Sequence, residues 1–415
     1  MKRNGDRYGR ALVIGGGIAG PVVGMALQRV GIESTVFEAS AVPSDGVGSF
    51  LTVASNGLDA LRAIDAHLPV VAEGLRTDRM VLSSGTGKCL GVIEAGIPLT
   101  DGTTTTTIER ARLYRALHDQ ARQRGVSLVH GKRLIDVEGS SDGVVARFAD
   151  GSEEHGGFLV GADGIWSTTR RLLDPHAPRP EYTGLIGVGG IATGLDLDLD
   201  LDPGTFEMMF GLRAFFGFIA VERGRILWFA NLPIRPEPDR ETLESVSPSA
   251  WKERVLEAFA EDTSPAHELI QRTDDSDFRL AAMHTLEPPR SWHRGRAVLV
   301  GDAAHATSPS SGQGASLAIE DGVELARCLR DAPDLASAFG AYQRLRESRV
   351  RRVLRASRRT NSDKAAGPFA RKIRDAVMPL VLRRMASPER QRWLLGHHID
   401  FTGPVGGPRA LLAAA

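Results

Sequence analysis

Three glycines near the start of the chain, Gly15, Gly17 and Gly20, have the spacing G-x-G-x-x-G, and an acidic residue, Glu38, follows them. In this pattern the first glycine permits a tight turn and the second lets the backbone approach a pyrophosphate. The third lets a helix pack closely against a strand. A carboxylate about twenty residues further on is placed to bind ribose hydroxyl groups. These residues therefore predict a site for an adenine dinucleotide.

A strand, a helix and a second strand must position these residues. The apolar run Ala11–Ile14 predicts a buried parallel strand, residues 18–30 have helical spacing, and Ser34–Phe37 predicts the second strand. The N-terminus of the helix, which includes Ile18 and Ala19, offers free N–H groups and partial positive charge to phosphates. The prediction rests on the order of all these parts: strand, glycines, helix, second strand and acidic residue. This order supports it more strongly than the glycines alone.

The composition excludes several classes of protein. The chain has 51 basic and 51 acidic residues, so its charge gives no indication of a nucleic-acid partner. The two cysteines, Cys89 and Cys328, cannot form a disulfide scaffold, and no pattern typical of a metal site is present. Outside the glycine-rich motif no apolar run is long enough to span a membrane, and we expect no stable membrane association.

The N-terminal segment also has a superficial similarity to a secretory signal, because basic residues precede the uncharged stretch 11–28. Three consecutive glycines and Pro21 are unsuited to a signal sequence, and the second strand follows at once. We therefore expect a cytoplasmic protein. Near the other end, residues 341–395 contain 16 Lys/Arg and 4 Asp/Glu. This excess is typical of solvated helix faces that dock on a more acidic remainder of the chain.

Three further motifs follow in order along the chain. They are Arg110 within IERARLYRAL, the segment GADGIWSTTR at 161–170, and the segment GDAAHATSPSSGQGASLAIEDGVELA at 301–326. Together with the first motif they closely resemble the single-component FAD-dependent aromatic hydroxylases, which are flavoprotein monooxygenases with the p-hydroxybenzoate hydroxylase type of fold. The resemblance covers residues 11–326 and does not identify a substrate.

The resemblance implies a set of cofactor-binding residues beyond the first motif. Arg110 matches an arginine that contacts FAD, although Arg112 lies close enough to leave the register open. The Asp-Gly pair of the second motif matches one linked to FAD and NAD(P)H, and the Asp of the third motif matches one that bonds the ribityl chain. The loop after it would lie beside the flavin ring, and Ser316 departs from the asparagine that relatives often have there. The implied residues are Asp163, Gly164, Gly301, Asp302, Pro309, Gly312, Gln313, Gly314 and Ala315.

The resemblance and the strand patterns predict an α/β protein. It would have a Rossmann-like FAD-binding domain, a substrate-binding domain built on a mainly antiparallel sheet, and a C-terminal helical segment. The FAD-binding domain would be discontinuous, comprising 1–72, 101–174 and 291–330. The substrate-binding domain would comprise 73–100 and 175–290, and the C-terminal helices 331–415.

Aromatic residues in the substrate-binding segment could line an apolar substrate cavity. From the group of Phe206, Met208, Phe210, Phe215, Phe216 and Trp228 we assign Phe210, Phe216 and Trp228 as substrate-binding residues.

Two other patterns have simpler interpretations. The G-x-G-x-x-A match at 187–192 could suggest a second dinucleotide site, but no helix follows it, and we interpret it as a chance match. The Leu/Asp alternation at 195–202 that follows it is typical of an exposed edge or loop. His305 is interpreted as a packing residue rather than a catalytic base.

The function implied by the resemblance is oxygen insertion. NAD(P)H, as either NADH or NADPH, would bind transiently and reduce FAD, and O2 would form a flavin C4a-hydroperoxide. This species would hydroxylate or epoxidise a small aromatic or otherwise electron-rich substrate. No catalytic side chain can be assigned, because the flavin carries the difficult step. The enzyme would be a monomer or a homodimer.

The sequence leaves two alternative functions open and disfavours a third. One is a flavin-dependent dehydrogenase or reductase, and another is a non-catalytic flavin-binding redox sensor. The third, a flavin-dependent halogenase, is disfavoured because the W-x-W-x-I-P motif is absent.

Overall fold

A computed structural model describes residues 7–42, 50–194, 202, 204–222, 224–364, 368–385 and 388–406. Most of the Leu/Asp alternation, residues 195–201, lies outside the described residues.

The strands, numbered along the chain, are β1 Ala11–Ile14, β2 Ser34–Phe37, β3 Phe50–Val53, β4 Leu75–Arg76, β5 Arg79–Ser84, β6 Cys89–Glu94, β7 Thr106–Glu109, β8 Ser127–Val129, β9 Leu134–Gly139, β10 Val144–Phe148, β11 Glu153–Gly156, β12 Phe158–Gly161, β13 Glu181–Thr193, β14 Thr205–Phe210, β15 Phe215–Glu222, β16 Arg225–Pro233, β17 Arg279–Thr285, β18 His293–Arg294 and β19 Ala297–Leu299.

The α-helices are α1 Ala19–Arg29, α2 Ser55–Ala63, α3 Leu68–Glu73, α4 Arg110–Gln123, α5 Thr168–Leu173, α6 Arg240–Ser245, α7 Pro248–Ala258, α8 Ala266–Gln271, α9 Gly314–Asp331, α10 Leu335–Lys364, α11 Pro368–Met385 and α12 Pro388–Leu395.

The first sheet has six strands in the order β18-β19-β12-β1-β2-β8. All its pairings are parallel except the one between β18 and β19. The central strands are short apolar runs that are fully buried, as expected for a parallel sheet covered on both faces. Helices α1, α4 and α9 contribute to its main hydrophobic core. Helix α1 follows β1 directly and so begins at the carboxyl end of that strand.

The second large sheet has seven strands in the order β17-β13-β16-β15-β14-β5-β6. Its pairings are antiparallel except for the parallel pair β14 and β5. Helices α7 and α8 cover one face and form a separate core with it. The G-x-G-x-x-A match at 187–192 lies inside β13, between two antiparallel neighbours. This placement agrees with its interpretation as a chance match.

Two three-stranded sheets complete the architecture, in the orders β11-β10-β9 and β3-β7-β4. The α/β class, the mainly antiparallel second sheet and the helical C-terminal segment are thereby confirmed. The division into domains stays a proposal, with one adjustment. Strand β4 falls in the segment assigned to the substrate-binding domain, but it pairs with β7 of the FAD-binding segment.

Buried ion pairs attach the C-terminal helices to the first domain. In α10, the guanidinium of Arg346 lies 2.6 Å from Glu320 and 2.7 Å from Asp321, and Arg349 lies 2.8 Å from Glu320. Burial opposes the ionised form of Glu320, but Arg349 and Arg346 overcome this effect and hold its pKa well below the ordinary value. Part of the basic excess of 341–395 is therefore neutralised by acidic residues of α9. No helix in the described part of the chain is long and apolar enough to span a membrane.

We predict that Arg346→Met destabilises the fold by about 3–5 kcal/mol, because buried Glu320 then keeps only Arg349 and buried Asp321 loses its arginine. The control is Arg351→Met, which breaks a partly exposed pair with Glu347 and should cost less than about 1 kcal/mol. Equilibrium unfolding in urea measures both. Equal losses for the two variants would contradict a special role of the buried cluster.

Candidate functional site

The carboxyl ends of three neighbouring strands, β1, β12 and β19, meet at one edge of the parallel sheet. A Cβ atom built on Gly15 would lie 2.3 Å from the carbonyl oxygen of Ala162, next to the second motif. A Cβ atom built on Gly301 would lie 3.5 Å from the Cβ atom of Ala19, so the third motif contacts the start of α1. Motifs that are almost 300 residues apart in the sequence are thus adjacent, at the edge where open α/β sheets bind ligands.

The three glycines of the first motif have different surroundings. Gly15 has φ +107°, and a Cβ atom on Gly20 would lie 1.9 Å from the carbonyl oxygen of Gly15, so neither position tolerates a side chain. At Gly17 the nearest atom to such a Cβ would be the hydroxyl oxygen of Tyr114, 3.8 Å away. The space beside Gly17 and the N-terminus of α1 is therefore open to a ligand. Ile18 precedes α1, and Ala19 is its first residue.

Glu38 lies directly against the glycine turn. One oxygen of its carboxylate accepts a hydrogen bond from the Gly16 N–H at 2.6 Å, and the other accepts one from the Ser40 N–H at 2.8 Å. These contacts fix the half-buried carboxylate beside the motif. The position agrees with the proposed contact to ribose, which stays a proposal.

Sequence analysis missed His118, whose imidazole supports the same turn. Its Nε2 atom lies 2.5 Å from the carbonyl oxygen of Gly16, and because a carbonyl only accepts, the Nε2–H donates. Burial is the main cause that lowers the pKa of His118. Arg110, Tyr114 and His118 are spaced four residues apart on α4, so they lie on one face of the helix. This spacing was a signal available in the sequence.

The carboxylate of Asp163 is hydrogen-bonded to residues of its own segment. Its carboxylate accepts hydrogen bonds from the Ser167 hydroxyl at 2.5 Å and from the backbone N–H and hydroxyl of Thr169 at 2.9 and 3.0 Å. It therefore fixes the turn before α5. Gly164, with φ +73°, has open space on its Cβ side. Arg170 of α5 donates to the carbonyl of Ala303 at 3.0 Å, which connects the second motif to the third.

Asp302 has a different environment. Its side chain borders solvent, but many protein atoms lie close around it. Partial desolvation by these atoms raises the pKa of its carboxyl. The electrostatic effects of His305 and Arg110 oppose the shift. Among the described residues no group forms a hydrogen bond with its carboxylate. Asp302 is thus a carboxylate in a recess with free hydrogen-bonding capacity.

Arg110 and Arg112, between which the sequence did not decide, have different partners in the structure. Arg112 lies 3.3 Å from Glu109 and 3.8 Å from Glu73. Arg110 is exposed, stacks over the ring of Tyr114 at 6.0 Å and forms no ion pair with a described residue. Arg110 also lowers the pKa of Asp302 electrostatically, which places both groups in the same part of the site. Its role in cofactor binding stays a proposal.

The loop before α9 lies beside this recess. It contains the 3-10 turn Pro309–Ser311 and then Gly312, which has φ +60° and open space on its Cβ side. Gln313 is buried, and its side-chain oxygen accepts a hydrogen bond from the Asn56 amide at 3.0 Å. Gly314 begins α9, and a Cβ atom there would lie 4.0 Å from an Asp302 carboxylate oxygen. The N-terminus of α9, with Ala315 half-buried in its first turn, is therefore close to Asp302.

The departure at Ser316 has a packing explanation. Its hydroxyl accepts a hydrogen bond from the Ala54 N–H at 3.0 Å, and it lies so close to Gly57 that a Cβ atom there would be 2.9 Å from the Cα atom of Ser316. The close approach of α2 and α9 leaves room for a small side chain only.

His305 is buried and packs against Trp292, in agreement with the prediction of a packing role. Its partner, Asp321, was missed by the sequence analysis. Asp321 accepts hydrogen bonds from the Gly301 N–H at 2.8 Å, from His305 Nε2 at 2.7 Å and from Arg346 at 2.7 Å. Asp321 therefore holds the backbone turn that presents Asp302.

The assignment of Phe216 and Trp228 to a substrate cavity needs correction. Both are fully buried on the face of the second sheet that α7 and α8 cover, where their rings stack on each other at 5.4 Å. The opposite face carries Phe206 and Phe229, which contact Phe50 of β3 in the first domain. Phe210 is on this same face, under α11. The aromatic side chains that adjoin the first domain are therefore those around Phe50, Phe206 and Phe229 rather than Phe216 and Trp228.

Comparison with known proteins identifies relatives over most of the chain. Residues 9–357 match the family described as "FAD binding domain". Aurachin C monooxygenase/isomerase from Stigmatella aurantiaca is 32% identical over 94% of this chain and 98% of its own length. FAD-dependent urate hydroxylase from Klebsiella pneumoniae is 31% identical over 84% of this chain and 89% of its own length. The crystal structure of Klebsiella pneumoniae HpxO with FAD and uric acid has a TM-score of 0.79 at 26% identity, covering 91% of this chain and 96% of that one.

We predict that Gly17→Ala weakens FAD binding by about tenfold or more, because the new methyl group occupies the space required for close approach of a pyrophosphate. The folded chain itself should tolerate the change, since the nearest atom to the new Cβ lies 3.8 Å away. Gly139→Ala, at a site with no neighbour within 4 Å, is the matched control. Fluorescence titration of the apoprotein with FAD measures affinity, and thermal melting without FAD measures stability. Unchanged affinity in Gly17→Ala would refute the assignment.

Proposed function

The chain belongs to the FAD binding domain family and is a flavoprotein monooxygenase, and from this premise we propose that it uses NAD(P)H and O2 to hydroxylate or epoxidise a small, apolar, electron-rich substrate. The observation that carries the proposal is the convergence of the glycine turn, the Asp302 recess and the start of α9 at one sheet edge. An apolar surface of phenylalanines on the second sheet adjoins the flavin-binding segment through Phe50.

The residues of this edge fit FAD. The open space at Gly17 suits a pyrophosphate, and the exposed Arg110 adds positive charge. Glu38 is placed for the adenosine ribose. Asp302 has free hydrogen-bonding capacity and suits the hydroxyl groups of the ribityl chain. We assign the flavin ring to the loop that includes Pro309 and Gly312–Ala315, whose open glycines allow a flat group to approach the backbone.

When bound, FAD supplies the redox chemistry, accepting a hydride from NAD(P)H and activating O2. The chain's own residues bind, orient and shield the reactants. The positive end of the α9 dipole, at Gly314, favours negative charge on the adjacent part of the ring. Gln313 is fixed by Asn56, which keeps the loop in place. Phenylalanine side chains exclude water from the substrate side.

The proposed reductant binds transiently. Among the described residues only the β1–α1 unit combines the glycine motif with a following helix, because the match at 187–192 lies within a strand. NADH or NADPH would therefore approach the site and leave it rather than occupy a second dinucleotide fold. We also propose a cytoplasmic monomer or homodimer, which the overall charge balance allows.

The substrate proposal rests on the three rings that face the first domain. Phe50, Phe206 and Phe229 are mutual neighbours, with ring centroids 5.9 to 6.1 Å apart. Such a surface binds an aromatic ring or an alkene through apolar and edge-to-face contacts. The relatives named for aurachin C and urate show that the family accepts different substrates, so the name of a relative does not define the substrate here.

The test is turnover of a panel of phenols, indoles and polyketide-like aromatics by the FAD-loaded chain. We expect at least one substrate to stimulate NAD(P)H oxidation, to consume one O2 per product and to incorporate one 18O atom from 18O2, measured by an oxygen electrode and mass spectrometry. Substrate turnover without oxygen consumption would instead establish a dehydrogenase or reductase. Tight FAD binding with no turnover on any member of the panel would favour a sensor.

A further inference from the structure

Helix α11 exposes a row of apolar side chains. Ile373, Val377, Leu380 and Val381 are 50%, 47%, 65% and 41% exposed. Their spacing of four, three and one residues places them on a single face of the helix. Isolated exposed apolar residues are common on protein surfaces, but four on one helical face form a continuous stripe that marks an interaction surface.

The side of α11 opposite the stripe contacts the rest of the protein. The stripe is therefore the outward face of a helix that is already docked. Met378 and Leu382 pack into the cluster that contains Phe210. The guanidinium of Arg374 lies 4.7 Å from the Phe210 ring centroid. Lys88 of the neighbouring strand loop donates to the Asp375 carbonyl at 2.8 Å. These contacts orient the helix with the apolar stripe outward.

The stripe lies within the basic C-terminal segment 341–395. Residues 368–385 contain five Lys/Arg and one Asp, whereas the whole chain has no net charge. The flanking Lys372 is exposed. An exposed apolar stripe on a basic helix is the physical signature of a helix that lies in the interface of an anionic membrane. In a dimer formed through this face, the basic helices of the two copies would lie opposite each other. Their repulsion disfavours self-association through the stripe.

We propose that α11 docks reversibly on the surface of an anionic lipid bilayer, with Ile373, Val377, Leu380 and Val381 inserted among the lipid headgroups. The exposed Lys372 and the net positive charge of the helix attract the bilayer, and the apolar stripe provides the insertion. Because its opposite side is fixed to the protein, the helix lies along the surface and does not span the bilayer. The proposal modifies the sequence-based expectation of no stable membrane association by adding reversible, peripheral binding.

The inner side of α11 continues into the proposed substrate surface. Phe210, beneath the helix, contacts Phe215, which contacts Phe229, with ring centroids 5.1 and 5.9 Å apart. Phe229 then contacts Phe206 and Phe50. This aromatic row leads from the docked helix toward the first domain. If the proposed monooxygenase function holds, on which this step rests, its substrates belong to the class of apolar molecules that partition into bilayers.

The test is flotation of the FAD-loaded full chain with vesicles of phosphatidylcholine alone or of phosphatidylcholine and phosphatidylglycerol in equal amounts. We expect the wild type to bind the anionic vesicles at low salt at least about tenfold better than the neutral ones, and to be released at high salt. Leu380→Asp should lose about tenfold or more of this binding. The matched control, Ile135→Asp, changes a similarly exposed apolar residue on β9 and should bind like the wild type.

Flavin absorbance and melting temperature verify that each variant is folded, and light scattering measures its oligomeric state. Equal binding of Leu380→Asp and wild type, or no preference for anionic vesicles, would overturn the proposal. A wild-type dimer that Leu380→Asp converts to a monomer, without vesicle binding, would also overturn it by assigning the stripe to self-association. Turnover of dissolved substrates tests the monooxygenase function separately and does not depend on vesicle binding.

Discussion

The structure depends on two close backbone approaches at the end of β1. There is no room for a Cβ atom on Gly15 against the Ala162 carbonyl, or on Gly20 against the Gly15 carbonyl. These approaches set the distance between β1 and the Asp-Gly segment after β12, and between β1 and α1. The turn can then present its open side, at Gly17, to a ligand. A side chain larger than hydrogen at Gly15 would separate the strands whose ends form the site, and one at Gly20 would push α1 away from β1.

A second constraint acts from behind the site. Asp321 receives hydrogen bonds from the backbone before Asp302, from His305 and from Arg346 of the C-terminal helical segment. Burial raises the pKa of Asp321, but His305 and Arg346 overcome this effect and keep its pKa below the ordinary value. One ionised carboxylate thus couples α10 to the turn that presents Asp302. The C-terminal helices are therefore part of the support of the site as well as the source of the exposed α11 stripe.

The sequence predicted β1, α1 and β2, with the helix ends within one residue, because apolar strands and glycines determine the local backbone conformation. It failed for Phe216 and Trp228, since strand alternation shows which residues share a face but not which face the helices cover. The link between Asp321 and Arg346 depends on packing between separate helices and had no local signal. His118 differs, because its spacing from Arg110 already placed both residues on one helical face.

The central claim is that distant segments of this chain converge to hold one FAD beside an apolar surface. A crystal structure of the chain with FAD tests it most directly. We expect the pyrophosphate against Gly17 and the start of α1, a hydrogen bond from a ribityl hydroxyl to Asp302, and the flavin ring between the loop before α9 and the phenylalanine face. Electron density that places FAD away from Asp302, or its ring on the far side of the second sheet, would contradict the account.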